Sequence, residues 1–244
     1  MSEQGNMFER DWAGELEQWL QGRFAESCEA IGQRTPLSGV RISPPLGPEE
    51  ANYFILGLEE GLFGLNERGD IWSELLISPG AANAEEQSYR IFSSEPPVPR
   101  LLRENVCQLA TVSLLILKRG WLKRHLALES SGKEHRSTGH GADLLVRSAS
   151  GRILIWVEVK RSVVELQKLI ADLRACSRRG AHALEDCGFP QNHPRYEFCL
   201  SSKPTYLWAV APDAQICFKI RCEQSSIDLE QLTSLPPRSL IELE

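Results

Sequence analysis

The segment 142–160 constrains this chain more than any other. Ala142 to Arg147 and Ile153 to Lys160 are two β-rich runs joined by the short polar stretch SASG at 148–151, the pattern of a β-hairpin. Successive side chains of a strand point to opposite faces. Leu154, Trp156, Glu158 and Lys160 therefore line one face of the second run, and Ile153, Ile155, Val157 and Val159 line the other. A carboxylate and an ammonium close an otherwise apolar row, where their desolvation has to be compensated. Asp143 opens the first run and brings a second carboxylate to the same end of the hairpin. Two hard oxygen donors beside a lysine suit Mg²⁺ or Mn²⁺ and an oriented water, an arrangement for cutting phosphodiesters. The competing account is a surface salt bridge between Glu158 and Lys160, worth about 0–1 kcal/mol.

The flanking segments read as regular elements. Between Leu101 and Arg119, Leu102, Val106, Leu109, Val112, Leu115 and Ile116 form one helical stripe, and Gly120 supplies a C-terminal stop. Trp121 to Leu128 is expected as a strand, followed by the polar loop 129–141. His140 lies in that loop within reach of the cleft, and a lone loop histidine reads first as a solvated or capping residue. Val163, Leu166, Leu169, Ile170, Leu173 and Cys176 recur at helical spacing. Tyr206 to Ala211 and Ile216 to Arg221 supply two more strands around the turn Pro212-Asp213. The order is helix, strand, hairpin, helix, two strands.

With Asp143 followed by Glu158-Val159-Lys160 between a hairpin and a helix, residues 101–221 resemble the PD-(D/E)XK nuclease superfamily. The resemblance implies an α/β fold with a restriction-endonuclease-like core, a mixed central sheet flanked by helices. It also implies metal-dependent hydrolysis of nucleic acid, DNA favoured over RNA, with Asp143 and Glu158 as Mg²⁺ or Mn²⁺ ligands and Lys160 beside the attacking water. The proline usual before the aspartate is Ala142 here. A further acid on the helix before the first strand is common in the superfamily, and Glu104 is the candidate catalytic and metal-binding residue, although a carboxylate there also gains from the helix dipole. Gln108, one turn later, is the alternate, and Gln167 on the next helix could touch the site from the other side. Prokaryotic defence or DNA repair would suit such an enzyme by fold-level analogy. The rival reading is a catalytically inactive nuclease-like protein that binds nucleic acid or a partner within a larger complex.

Charge divides the chain. Residues 1–100 carry 7 Lys+Arg against 17 Asp+Glu, whereas residues 101–244 carry 20 against 16. The first part repels a phosphate backbone and the second can approach one. An acidic α+β domain over 1–100, suited to docking a protein partner or to regulation, is thus expected before a nuclease-like domain over 101–244. In the first, an amphipathic helix is expected over 8–31 and a proline-rich loop over 35–48, and 53–65 is open between helix and strand. A turn-rich stretch lies at 80–87, and the run SSEPPVPR at 93–100 is the candidate linker. In the second, Arg161, Lys168, Arg174 and Arg178, with Arg179, form a basic edge for nucleic acid, though helix-end stabilisation alone accounts for Arg178 and Arg179.

Seven cysteines without a C-x-x-C pair argue against a disulfide framework. Cys176, His182, Cys187, His193 and Cys199 follow one another at intervals of six, five, six and six residues. Four of them could make a tetrahedral structural Zn²⁺ site, against the alternative of unrelated buried thiols and surface histidines. The chain has no apolar run of about 18 residues and its first residues lack an apolar export signal, so a cytoplasmic protein without membrane contact is expected.

Overall fold

The computed structural model describes residues 10–66, 69–75, 88–93, 98–130 and 142–242. Helix α1 (Trp12–Ala30) starts where the Asp11 side chain accepts from Gly14 N at 3.0 Å, and it buries Leu16, Leu20, Phe24 and Cys28. This is the apolar stripe read over 8–31. Helix α2 (Pro48–Glu59) resolves the ambiguous segment, because Pro48 stands in its first turn, where a missing N–H costs nothing. Gly57 is required there, since a Cβ would collide with Ser113 and Phe63. Three two-residue strands, β1 (Gly64–Leu65), β2 (Ile71–Trp72) and β3 (Ser88–Tyr89), form a small antiparallel sheet. Helix α3 (Arg103–Ser113) runs on as a π-helical turn at Leu114–Lys118 and stops before Gly120, whose φ of 71° is the left-handed value that glycine tolerates.

The main sheet has six strands in sequence order: β4 (Leu126–Ser130), β5 (Ala142–Arg147), β6 (Ile153–Val159), β7 (Tyr206–Ala211), β8 (Ala214–Cys222) and β9 (Ile227–Leu232). All neighbours are antiparallel except β6 and β7, which are parallel and joined through helices α4 (Val163–Arg179) and α5 (His193–Ser202). The chain is thus an α/β protein with a mixed sheet and helices on both faces. A four-residue helix α6 (Arg238–Ile241) follows β9.

Several expectations are corrected. The strand read from Trp121 begins only at Leu126, because a 3-10 turn at Lys123–His125 comes first. The sequence pattern predicts neither α5 nor β9: the buried Pro194, Tyr196, Phe198 and Cys199 of α5 make no single helical stripe, and β9 exposes Asp228 and Glu230 as an edge strand does. A β-bulge shifts the hairpin register, with Val146 opposite Ile155 but Arg147 opposite Ile153. Leu154 is the extra residue and joins the cluster on the α3 side rather than the face of Trp156. From Ile155 onward the alternation holds.

Two apolar clusters cover the sheet. One combines α1, α2 and α3 with Leu144, Val157 and Trp208; the other combines α4 and α5 with Leu145, Trp156, Leu207 and Phe218. The first crosses the expected boundary at residue 100, packing Leu16, Leu20 and Phe54 with Val106 and Leu109. Across the same boundary, Arg103 pairs with Glu50 and donates to the carbonyls of Pro44 and Pro45 at 3.1 and 3.2 Å. Of the expected linker, 94–97 lie outside the described residues. Its ends are tied by Ser93 N to Arg100 O at 2.9 Å and by a bridge between Phe92 and Leu101. Residues 1–100 and 101–244 therefore share one core. The stretch 80–87 also lies outside the described residues, and among those described no helix is long and apolar enough to cross a membrane.

Candidate active site

The hairpin register places the acids. Leu144 pairs with Val157, so one residue further Asp143 comes beside Glu158 at the end of the sheet, on the α4–α5 side. Asp143 Oδ2 accepts from Val159 N at 2.6 Å and from Lys160 Nζ at 3.4 Å. Lys160 Nζ also donates to Glu158 Oε2 at 3.0 Å and to the Val159 carbonyl at 2.7 Å, and its backbone N–H is anchored on Val210 O at 2.8 Å. One ammonium therefore lies between both carboxylates, and the three residues read from the hairpin are brought together.

Sequence reasoning missed a fourth member, Arg195. Its Nε donates to Glu158 Oε2 at 2.7 Å from the first turns of α5. Arg195 also donates to Gln191 O at 3.2 Å and Asn192 Oδ1 at 3.4 Å, and Asn192 in turn donates to the buried Asp172 at 2.8 Å. No local signal marks Arg195, since its partner lies 37 residues earlier and it stands on α5, whose sequence shows no helical stripe. Trp156 completes the shell, with Nε1 donating to Glu158 Oε1 at 3.0 Å.

The charges are balanced two against two, and they shift one another. Burial pushes the Asp143 carboxyl up, and the neighbouring Glu158 charge adds to it, to about 7. Burial works on Glu158 in the same direction, yet Lys160 and Arg195 outweigh it and hold Glu158 below the usual carboxylate range. Burial would lower Lys160, but Glu158 and Asp143 raise it on balance; Arg195 is raised chiefly by Glu158. Glu158 is fully buried, whereas a quarter of the Asp143 side chain is exposed. Among the described residues, every hydrogen bond to Asp143's side chain lands on Oδ2, which leaves Oδ1 as a hard donor. Glu158 Oε1, with one bond from Trp156, has a further lone pair. The donor set suits a hard divalent cation.

The remaining candidates are scattered. Glu104, in the first turn of α3, lines an open cleft of about 610 Å³ with Arg161 and Glu165, and it is near enough for its charge to act on Arg195. Gln108 Nε2 donates to the Asp143 backbone carbonyl, so it positions β5 rather than turning to a ligand. Gln167 and Lys168 are exposed on α4, and Arg161 is exposed and pairs with Glu165. Arg174 packs over Phe218, 5.5 Å from the ring centroid, and donates to Leu229 O at 3.4 Å. Arg178 is exposed in the last turn of α4, and Arg179 donates to Asp186 O at 2.5 Å. The helix carries Arg178 about 22 Å along its axis from its first residue. His140 lies outside the described residues.

A second cluster sits where α4 ends and α5 begins. Cys176, His182, Cys187 and His193 each offer one ligand atom, and these atoms lie within 4.8 Å of one another; the group could hold a metal such as zinc. Cys199 is not part of it. His193 and Cys199 are six residues apart on α5, about 9 Å along the axis and about 120° around it, and the Cys199 sulfur instead lies 4.0 Å from that of Cys222. No protein-family model, curated protein or solved structure matches the chain.

Proposed function

We propose that the chain is a divalent-metal-dependent nuclease with a restriction-endonuclease-like core. The observation that carries this reading is Lys160 Nζ between Asp143 and Glu158, 3.4 and 3.0 Å from their oxygens, at the end of a hairpin strand. The element order supports it: α3, a three-stranded meander, a helical crossover, and a parallel strand β7 beside β6. Asp143 and Glu158 would hold Mg²⁺ or Mn²⁺, which supplies Lewis-acid activation of a water and of a phosphate oxygen. Lys160 donates to the non-bridging phosphate oxygen and opposes the charge that develops there. Arg195 and Trp156 fix the Glu158 carboxylate from behind, so its orientation is set before substrate arrives. Arg161, which follows Lys160 in the chain and is exposed, would meet a phosphate of the backbone, DNA favoured over RNA.

One observation favours a second reading, a nuclease-like scaffold without catalysis. Glu158 is wholly buried and already paired with two cations, so its charge is compensated without a metal. Purified full-length chain incubated with plasmid, linear and single-stranded DNA and with RNA, in Mg²⁺, Mn²⁺ or EDTA, separates the two. The nuclease reading requires cleavage that EDTA stops and that Asp143→Asn and Lys160→Ala each reduce by at least about 100-fold. Absence of cleavage on every substrate, or cleavage by both variants at the wild-type rate, would overturn it in favour of the scaffold.

A further inference from the structure

We propose that Cys176, His182, Cys187 and His193 form a tetrahedral Zn²⁺ site that fastens the end of α4 to the start of α5. This inference does not rest on the nuclease reading. The two sulfurs are 3.6 Å apart. With Zn–S bonds of about 2.3 Å, a tetrahedral site sets two sulfurs about 3.8 Å apart, so the thiols already stand at nearly the required separation.

The histidines carry the independent observation. His193 is fully buried, and neither of its ring nitrogens has a hydrogen-bond partner among the described residues. Such a pair of orphaned polar atoms is expensive unless something binds them. The Glu197 carboxylate lies 3.4 Å from Nε2, one turn along α5, without hydrogen-bond geometry. A carboxylate behind one nitrogen orients the ring and leaves the other, Nδ1, for the metal. His182 shows the complementary arrangement. Its Nδ1 lies 2.7 Å from the Gly180 carbonyl, which places the proton there, and its buried Nε2 is left, among the described residues, with only the Cys187 sulfur for a neighbour. The Cys187 sulfur accepts from Phe189 N at 3.3 Å, a contact that favours a thiolate.

Soft sulfur with imidazole selects zinc over Mg²⁺ or Ca²⁺. On binding, each thiol passes its proton to solvent, so two thiolates and two neutral imidazoles give a neutral site. The local chain needs such a brace. Between α4 and α5 the described residues form only a 3-10 turn, Leu184–Asp186, with Leu184 exposed. A metal at His193 also fixes the turn of α5 that presents Arg195 to Glu158, two residues later.

The test uses the full chain purified under reducing conditions without chelator. About one zinc per chain is expected by elemental analysis, and X-ray absorption should show two sulfur and two nitrogen ligands. Replacement by Co²⁺ should give the intense visible bands of a tetrahedral ion and a thiolate charge-transfer band. Cys176→Ser and Cys187→Ser should each weaken those bands, while Cys199→Ser leaves them unchanged. Should the serine variants fail to fold, the ligand count on the wild-type chain decides. A substoichiometric metal content, an octahedral all-oxygen shell, a Cys176–Cys187 disulfide in the reduced preparation, or equal loss of signal in Cys199→Ser would overturn the proposal.

Discussion

The two faces of the sheet bury different things. Between the sheet and α1–α3 the core is apolar, and its buried charge among the described residues is one pair, Arg103 with Glu50. Between the sheet and α4–α5, Glu158, Asp172 and His193 are all buried, with Lys160 and Arg195 on Glu158, Asn192 on Asp172 and the thiols of Cys176 and Cys187 beside His193. The first face holds the fold together by transfer of apolar surface, which needs no partner of special geometry. The second is stable only if each polar group finds its counterpart. Its two clusters differ in this respect. In the carboxylate quartet every charge has an opposite charge within reach, whereas in the Cys/His cluster ring nitrogens have no hydrogen-bond partner among the described residues.

The largest expected effect comes from removing the apolar face. A fragment beginning at residue 101 keeps the whole six-stranded sheet but uncovers Val106, Leu109 and Trp208, which pack with residues of α1 and α2. It should be insoluble or lack a cooperative thermal transition, as checked by gel filtration and calorimetry. A soluble, cooperatively folding fragment would show that the apolar face does not need the first hundred residues.

Next in size are single edits of the buried pairs. Glu158→Ala leaves Lys160 and Arg195 without their shared carboxylate and should cost roughly 3–5 kcal/mol in denaturant unfolding. Glu50→Ala is the same edit on the other face, but it takes the carboxylate from one cation rather than two, so a smaller loss of about 1–3 kcal/mol is expected. If the two losses are equal, the extra cation on the α4–α5 face adds nothing.

How much of this was legible follows from which forces are local. The helices α3 and α4 announce themselves by their apolar stripes and the hairpin by its two β-rich runs, and the site acids follow from the hairpin's alternation, which holds from Ile155 onward. Arg195 does not, because its place depends on how the crossover returns to the sheet. Cys176, His182, Cys187 and His193 could be gathered by spacing, but excluding Cys199 required knowing that α5 turns it away. The charge division at residue 100 suggested two modules, while the apolar residues on either side pack together, since surface charge says little about the core.

A smaller effect separates the two carboxylates of the quartet. Asp143 has a folded pKa raised from 3.8 to about 7, so the folded state holds its proton more tightly than the unfolded chain does. Its contribution is fully present below about pH 4 and is lost as pH rises through about 7. Without divalent metal, wild-type stability should therefore fall between pH 6 and pH 8 by on the order of 1–2 kcal/mol. Asp143→Asn should flatten that slope. Mg²⁺ affinity should rise over the same interval, because the cation competes with the proton. A slope unchanged by Asp143→Asn would assign the titration to another group.

The smallest effect tests which arginines of α4 and its approach serve a ligand. Arg161 follows Lys160 and has its side chain 69% exposed, and its partner Glu165 is in the first turn of α4. An exposed pair of this kind is worth about 0.2–1 kcal/mol, so Arg161→Ala should leave the melting temperature nearly unchanged. Nucleic-acid binding should weaken alike for all sequences, and the salt dependence should lose about one counterion. Arg174 should behave in the opposite way. Its guanidinium lies over Phe218 and reaches the Leu229 carbonyl, so Arg174→Ala removes packing between α4 and the β8–β9 edge. Stability should fall by about 1 kcal/mol with the salt slope intact. Filter binding to one DNA duplex across a salt series, run beside thermal melts of both variants, distinguishes them. A lost counterion in Arg174→Ala and none in Arg161→Ala would move the nucleic-acid path away from the mouth of the quartet and along the far end of α4.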